Sequence, residues 1–160
     1  MKSGKTINIR IIGLGGMGIL KSSHILSEIL FRAGFDVKRA EVHGMSQRGG
    51  SVTSDIRFGK KIFSPMIPDG EVDFLLVIAP GELDMQCTNL RPGGMLINAQ
   101  SFDNVILSDR RSLNVAMLGI LSRNLNIPEI AWNQAIKDLF PAKLHDVNLE
   151  AFKIGRNLDA

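Results

Sequence analysis

The chain opens with an alternation of apolar and polar residues that is typical of a β-strand. Thr6 to Ile12 alternates and then closes on two isoleucines, which fits a strand entering a sheet that is covered on at least one face. The glycine-rich stretch GLGGMG, Gly13 to Gly18, interrupts this pattern. From Ile19 to Ala33 apolar residues recur at helical spacing, and Gly34 follows where a helix commonly ends. The pattern therefore predicts a strand, a glycine turn and a helix.

The next segment completes a Rossmann-like βαβ unit and adds antiparallel pairing. Phe35 to Val42 predicts a second strand, so the N-terminal unit should have a right-handed crossover. Ser51 to Phe58 alternates strictly, and Gly59 to Lys61 predicts the turn of an antiparallel hairpin that returns through Ile62 and Phe63. We therefore expect a mixed sheet.

The remainder of the chain supplies a central strand and most of the helices. Val72 to Ile78, VDFLLVI, is the most continuous apolar stretch and predicts a buried strand. The other predicted elements are a helix over Gly81–Leu90, a turn over Arg91–Gly94, strands over Met95–Ala99 and Val105–Leu107, and helices over Leu113–Leu125, Pro128–Leu139 and Val147–Leu158. No linker or internal repeat divides them. We expect one α/β domain over residues 1–160, a three-layer α/β/α arrangement.

Composition and charge narrow the classes of function. With 160 residues, 44% of them hydrophobic, the chain can fill one core. No apolar run approaches the roughly 20 residues that span a bilayer, so we expect a cytoplasmic protein with no membrane segment. The net charge is +3, but lysines and arginines are scattered rather than grouped in blocks, which disfavours nucleic-acid binding.

The sequence holds no self-sufficient set of catalytic groups. Cys87 is the only cysteine, which excludes an intrachain disulfide and a CxxC pair for zinc or an iron–sulfur cluster. Nucleophile-elbow, HExxH and Ser-His-Asp patterns are missing as well. We therefore predict no catalytic residue and no metal site in this chain, and we assign any redox metal to a partner.

The glycine turn has the form of a phosphate-binding loop. The pattern G-x-G-x-x-G follows a strand and opens a helix, where backbone N–H groups can approach a phosphate. Glu41 stands where a dinucleotide-binding domain keeps its ribose-binding acid, but the loop after it replaces the usual crossover helix. A dinucleotide site, another anion site and close helix packing all stay open. The candidate ligand-facing residues are Gly13, Gly15, Gly16 and Gly18.

A second loop, EVHGMSQRGG from Glu41 to Gly50, combines charged side chains with glycines. Glycine costs conformational entropy that a simple surface turn does not require, so this loop has a backbone shape that something approaches closely. Met45 adds apolar surface. A solvated loop tip is the alternative, but the combination favours a protein interface. The candidate interface residues are Glu41, His43, Gln47, Arg48, Gly49 and Gly50.

Several motifs resemble a known family when they are taken in order. They are GLGGMG, EVHGMSQRGGSV, SPMIPDGEVDFLLVIAPGEL, RPGGMLIN, NVAMLG and NLEAFKIG, and they run from about Ile7 to Gly155. The chain resembles the beta subunit of indolepyruvate:ferredoxin oxidoreductases, which is similar to the gamma subunit, or third domain, of 2-oxoacid:acceptor oxidoreductases. Two features depart from the family pattern: Met17 stands where the family usually has Gln, and the segment between Asn98 and Asn114 is short.

The resemblance implies an accessory subunit of an enzyme that oxidatively decarboxylates a 2-oxoacid, and not a chain that is active alone. Such enzymes pass electrons through iron–sulfur clusters to ferredoxin and the acyl group to coenzyme A. Thiamine diphosphate, Mg²⁺ and the clusters sit in the catalytic alpha-type partner. The form EVHGMSQRGG implies indolepyruvate or another arylpyruvate as the substrate.

The same resemblance assigns roles to the two loops. The Glu41–Gly50 loop would dock beside thiamine diphosphate and coenzyme A, with Arg48 pairing with a carboxylate or an anionic ligand. Glu41 and His43 would orient that loop, and the glycine turn would present N–H groups either to coenzyme A, as a shared ligand, or to the backbone of the partner. The alternatives are a free-standing NAD(P)- or flavin-binding oxidoreductase and a module that senses coenzyme A or a nucleotide.

Overall fold

The computed structural model describes residues 5–44, 49–82 and 87–158. It contains five strands and four α-helices within these ranges. The strands are β1 (Ile7–Leu14), β2 (Asp36–His43), β3 (Ser51–Gly59), β4 (Val72–Val77) and β5 (Leu90–Asn98). The helices are α1 (Ile19–Arg32), α2 (Leu113–Ser122), α3 (Glu129–Leu139) and α4 (His145–Asn157).

The strands form one mixed sheet in the order β2-β3-β1-β4-β5. β3 pairs antiparallel with both β1 and β2, whereas β4 pairs parallel with β1 and β5. The predicted α/β class and mixed sheet are confirmed. β1 and β2 run in the same direction with β3 between them, so the N-terminal βαβ unit crosses over one inserted strand.

The antiparallel hairpin is formed by β2 and β3. The sequence instead predicts a hairpin between β3 and a strand through Ile62 and Phe63. Ile62 and Phe63 form no strand. Instead the N–H of Ile62 donates to the Asp36 carboxylate at 2.7 Å, while the Phe63 side chain is 87% exposed. Gly59 is the last residue of β3, and the apolar pair Ile62–Phe63 is shorter than a typical strand.

Three other predicted elements also differ from the structure. The predicted helix over Gly81–Leu90 contains two short 3₁₀ turns, Pro80–Glu82 and Cys87–Asn89, and the four residues between them lie outside the described ranges. β5 starts at Leu90 and includes the predicted turn Arg91–Gly94, with a break in its register against β4. Val105–Leu107 is not a strand, because the sheet ends at β5 and Ile106 is 90% exposed.

The helices cover one face of the sheet. α1 packs across β1, β2 and β3, α2 contacts β5, and α3 and α4 pack on these two helices. The buried Ser54 hydroxyl of β3 donates to the Ser23 hydroxyl of α1 at 2.6 Å, which identifies the face that α1 covers. On the opposite face a segment without an α-helix, residues 60–71, places Ile67 against Ile12, Leu75 and Val77. Within the described ranges no helix is long and apolar enough to span a bilayer.

Two glycines allow α2 and α4 to pack in direct backbone contact. A methyl group on Gly155 would collide with the carbonyl oxygen of Ala116, and one on Gly119 would collide with that of Phe152. α2 is consequently buried along nearly its whole length. This contact fixes the C-terminal helix α4 against α2.

Candidate functional site

The glycine turn lies at the carboxyl end of β1, directly before α1. Gly16 and Gly18 have φ values of 91° and 78°, a left-handed conformation that favours glycine. Gly13 lies inside β1, paired with Val52, and a side chain there would meet Ile19 Cδ1 at 2.6 Å. The lack of a side chain at Gly13 therefore leaves room for Ile19 of α1 to pack against β1. This packing role differs from the ligand-facing role predicted for Gly13.

The residues at the N-terminus of α1 provide no negative charge of their own. Gly18 is the N-cap residue and supplies no side-chain cap, and the first turn contains no acidic residue. The partial positive charge of the helix end is therefore available to an external anion. Two N–H groups of the turn are used internally, Gly15 to Gly50 O at 3.0 Å and Met17 to Leu14 O at 3.1 Å. Gly16, Gly18 and the first residues of α1 are left as candidate donors.

The base of the Glu41–Gly50 loop touches the glycine turn. The Gly15–Gly50 hydrogen bond joins the two loops, and the Cβ position of Gly15 lies 3.8 Å from Gly49 Cα. The N–H of Gly44 donates to Ser51 O at 2.7 Å and closes the β2–β3 hairpin below the loop. Gln47 and Arg48, two of the predicted interface residues, lie outside the described residues. Glu41, His43, Gly44 and Gly49 are exposed.

A cavity of about 360 Å³ opens between the glycine turn, the start of α1 and the end of the β2–β3 hairpin. Its walls are largely apolar, with His43 at the rim. Lys21 also lines the cavity, and its ammonium group donates to Leu139 O at 3.1 Å. The site thus combines an apolar hollow with a helix N-terminus. The lining residues are Leu14, Gly15, Gly16, Gly18, Ile19, Leu20, Lys21, His43 and Val52.

Asn114 fixes the glycine turn from behind. Its side-chain amide donates to Gly18 O at 3.1 Å and to the Ser22 hydroxyl at 3.0 Å, and the residue is only 4% exposed. A side chain on Gly18 would collide with this amide. Sequence reasoning assigned Asn114 no role. The available signal was one polar residue at the start of the otherwise apolar helix LNVAMLGIL.

A second unpredicted contact lies at the same edge of the sheet. The Ser51 hydroxyl donates to the Glu82 carboxylate at 3.0 Å, which ties the start of β3 to the 3₁₀ turn after β4. Glu82 belongs to the segment APGEL, which carries part of the family resemblance. The carboxyl end of β4 is therefore connected to the base of the second loop.

The strand order separates Glu41 from the glycine turn. Glu41 pairs with Ser54 of β3, and β3 lies between β2 and β1. Two strand spacings amount to roughly 10 Å, whereas a ribose-binding acid stands on the strand next to the glycine loop. Glu41 instead pairs with Arg39, with 3.3 Å between Nε and Oε1. This geometry disfavours a dinucleotide site.

Comparison with known proteins agrees with the fold and extends over nearly the whole chain. A profile of the family described as "Pyruvate ferredoxin/flavodoxin oxidoreductase" matches residues 8–110. The chain is 32% identical to indolepyruvate oxidoreductase subunit IorB of Thermococcus kodakarensis, over 94% of this chain and 95% of that subunit. It is 31% identical to the subunit of the same name in Pyrococcus horikoshii, with the same coverage of both chains.

Solved structures share the fold at lower sequence identity. The 2-oxoglutarate:ferredoxin oxidoreductase of Magnetococcus marinus, solved with 2-oxoglutarate, coenzyme A and succinyl-CoA bound, superposes with a TM-score of 0.84 at 22% identity. The match covers 98% of this chain but 31% of that one. The gamma subunit of a keto/oxoacid ferredoxin oxidoreductase from Geobacter sulfurreducens gives a TM-score of 0.76 at 19% identity, covering 93% and 95% of the two chains. On the family match and the full-length similarity, the chain belongs to the pyruvate ferredoxin/flavodoxin oxidoreductase family.

Proposed function

We propose that this chain is the accessory subunit of a 2-oxoacid:ferredoxin oxidoreductase whose thiamine diphosphate, Mg²⁺ and iron–sulfur clusters are held by a catalytic alpha-type subunit. The observation that carries the proposal is the match to IorB subunits across 94% of this chain and 95% of theirs. The relatives named in this way are themselves subunits of the same extent. We also propose that the protein is cytoplasmic and that ferredoxin receives its electrons from the catalytic subunit and not from this chain.

Indolepyruvate or another arylpyruvate is the proposed substrate of the assembled enzyme. The support is the name shared by the relatives from Thermococcus kodakarensis and Pyrococcus horikoshii. The described residues of this chain hold no group of three or more His, Cys, Asp or Glu side chains arranged as metal ligands. The decarboxylation chemistry is therefore assigned to the partner, and this chain shapes the site from one side.

The Glu41–Gly50 loop is the proposed contact with the catalytic subunit. Its support is the exposure of Glu41, His43 and Gly49 at the carboxyl edge of the sheet, where open α/β sheets bind ligands. The hydrogen bond from Gly15 to Gly50 holds the base of this loop against the glycine turn. A partner bound to the loop would therefore also reach the cavity beside α1.

Coenzyme A is the proposed ligand shared by the two subunits at this cavity. Its phosphates suit the uncapped N-terminus of α1, and its apolar arm suits walls formed by Leu14, Leu20 and Val52. The Magnetococcus marinus enzyme, which has the same fold in part of its chain, was solved with coenzyme A bound. Gly16→Ala should strain the turn, since its φ is 91°, and should raise KM for coenzyme A more than KM for the 2-oxoacid. Equal changes in both constants would argue against a coenzyme A site here.

The interface can be tested with Arg48→Ala in the complex with the catalytic subunit. The expected result is weaker association by about tenfold or more and lower turnover, because a hydrogen-bonded guanidinium that pairs across an interface contributes roughly 1.5–3 kcal/mol. Arg123→Ala, at an exposed position after α2, is the matched control and should change neither quantity. Circular dichroism of the isolated variants checks that both fold. Unchanged assembly and turnover in Arg48→Ala would contradict the proposed interface.

A free-standing dinucleotide-binding oxidoreductase and a ligand-sensing module are the alternatives. Titration of the isolated chain with NADH, NADPH and flavins separates the first, because a true site should bind one of them at micromolar concentration or tighter. We expect no such binding, given the strand between Glu41 and the glycine turn. Copurification of a catalytic subunit with this chain would argue against the second alternative, the ligand-sensing module.

A further inference from the structure

The two outer strands of the sheet differ in how open their edges are. β5 contains Pro92, Gly93 and Gly94, and its register against β4 is broken between Val72 and Phe74. Proline lacks the N–H that a neighbouring strand needs, and a register break twists the edge. A further strand is therefore poorly accommodated beside β5.

β2 presents the opposite kind of edge. All eight of its residues pair with β3 in an unbroken register, and it contains neither proline nor glycine. It is the outermost strand, and no strand in the described part of the chain lies beyond it. Every second N–H and C=O of β2 therefore points away from the sheet and can pair with an added strand.

The sequence of β2, DVKRAEVH, is complementary to itself in one antiparallel register. A two-fold axis perpendicular to the sheet keeps each side chain on its own face, so only registers centred on a residue are allowed. Centring on Lys38, Arg39 or Glu41 would place two like charges directly opposite each other, and centring nearer either end of β2 would pair three of its residues or fewer. Centring on Ala40 places Arg39 of one copy opposite Glu41 of the other, and the symmetry repeats this contact.

We propose that two copies of this chain associate through β2 in the register that sets Ala40 opposite Ala40, joining two five-stranded sheets into one. Arg39 and Glu41 pair with each other within the chain on one face of β2, and because their side chains are still 36% and 30% exposed, they can exchange this pairing for the same pairing across the dimer. In the same register the Lys38 stem lies opposite the Val42 side chain, which is 60% exposed. The partner is a second copy because the charge pattern selects one symmetric register.

Charge reversal on the full-length chain tests this association. Sedimentation over roughly 1–500 µM should show a species of twice 17.5 kDa for the wild type. Arg39→Glu and Glu41→Arg should each weaken the dimer at least about tenfold, because both symmetric contacts become repulsive. Lys153→Glu, an exposed position on α4, makes the same charge change as Arg39→Glu and should leave the dimer intact.

Mixing the two charge-reversal variants provides the decisive measurement. In the mixture the carboxylate introduced by Arg39→Glu would face the guanidinium introduced by Glu41→Arg, and the second contact would pair the unchanged Glu41 of one chain with the unchanged Arg39 of the other. The equimolar mixture should therefore regain a dimer that neither variant forms alone, a result that a folding defect cannot produce. A monomeric wild type at every concentration, or a mixture that stays monomeric, would overturn the proposal.

Discussion

At the scale of single residues, the site depends on polar contacts made far apart in sequence. Asn114 reaches the glycine turn from a segment almost a hundred residues away and holds both Gly18 O and the Ser22 hydroxyl. The G-x-G-x-x-G pattern predicted the position of the turn but not this support. The residues of a turn indicate by themselves that a turn forms there. A contact between α1 and α2 depends on how the helices pack, so the sequence of neither segment predicts it.

Asn114→Ala should destabilise the protein by about 1–3 kcal/mol, because the part-buried Gly18 carbonyl and the buried Ser22 hydroxyl each lose the hydrogen bond that the amide donates. The free energy of unfolding in urea measures this change. Asn114→Asp should cost more, since a carboxylate oxygen would then face the Gly18 carbonyl. Asn104→Ala, at an exposed position, serves as the control and should change stability by less than about 0.5 kcal/mol. Equal stabilities for Asn114→Ala and the wild type would show that the amide does not hold the turn.

At the scale of elements, prediction succeeded where the local pattern decides the structure. α1 begins at the predicted Ile19 and ends just before Gly34, and α3 starts directly after Pro128. It identified the later part of β5 but not its start at Leu90, because pairing with β4 on both sides of the Pro92–Gly94 segment overrides the local turn preference. It failed for Ile62–Phe63, because a two-residue apolar pair carries no strong local preference. The neighbouring β4 strand and the Asp36 carboxylate decided those two cases.

The contact between α2 and α4 leads to a prediction about glycine. Gly155→Ala should destabilise the protein by at least about 2 kcal/mol, because the methyl group meets the Ala116 carbonyl and this overpacking outweighs the roughly 1 kcal/mol of helix propensity gained. Chemical denaturation measures the difference. Gly81→Ala is the matched control, since a methyl group there meets no described atom within 4 Å. A Gly155→Ala variant as stable as the control would contradict the close helix contact.

An ion pair between α1 and α3 gives a prediction about pH. The guanidinium of Arg32 donates to Asp138 at 2.6 Å, and this bond, followed by one from Gln134, lowers the pKa of the Asp138 carboxyl below its ordinary value of 3.8. A lowered pKa contributes stability above the unfolded value, and this contribution is lost as the pH falls through the folded value. In an NMR titration, Arg32→Ala should raise the pKa of Asp138, and Gln134→Ala should raise it less. An unchanged pKa in Arg32→Ala would show that the pair does not form in solution.

At the scale of the whole molecule, sequence predicted the class of fold but not the strand order. The hydrophobic pattern, alternating at the start of β1 and in β3 and continuous in β4, identified β1, β2, β3 and β4 individually. It could not show that β3 inserts between β1 and β2, because pairing partners are chosen by contacts distant in sequence. That insertion moves Glu41 away from the glycine turn, and so it changes the function that the turn can be expected to serve.

Catalysis is expected in a complex, because the relatives that match nearly the whole chain are indolepyruvate oxidoreductase subunits. The described residues offer a cavity at a helix N-terminus and an adjoining exposed loop, which are features that position a ligand or a partner. They hold no group of three or more His, Cys, Asp or Glu side chains arranged as metal ligands. On the proposed function, activity appears when the catalytic subunit is added.

The most direct test is viologen dye reduction from an arylpyruvate and coenzyme A, measured for this chain, for its catalytic subunit and for the two combined. We expect no reduction by this chain alone and full activity in the reconstituted complex. Reduction of the dye by the purified chain alone would contradict this expectation.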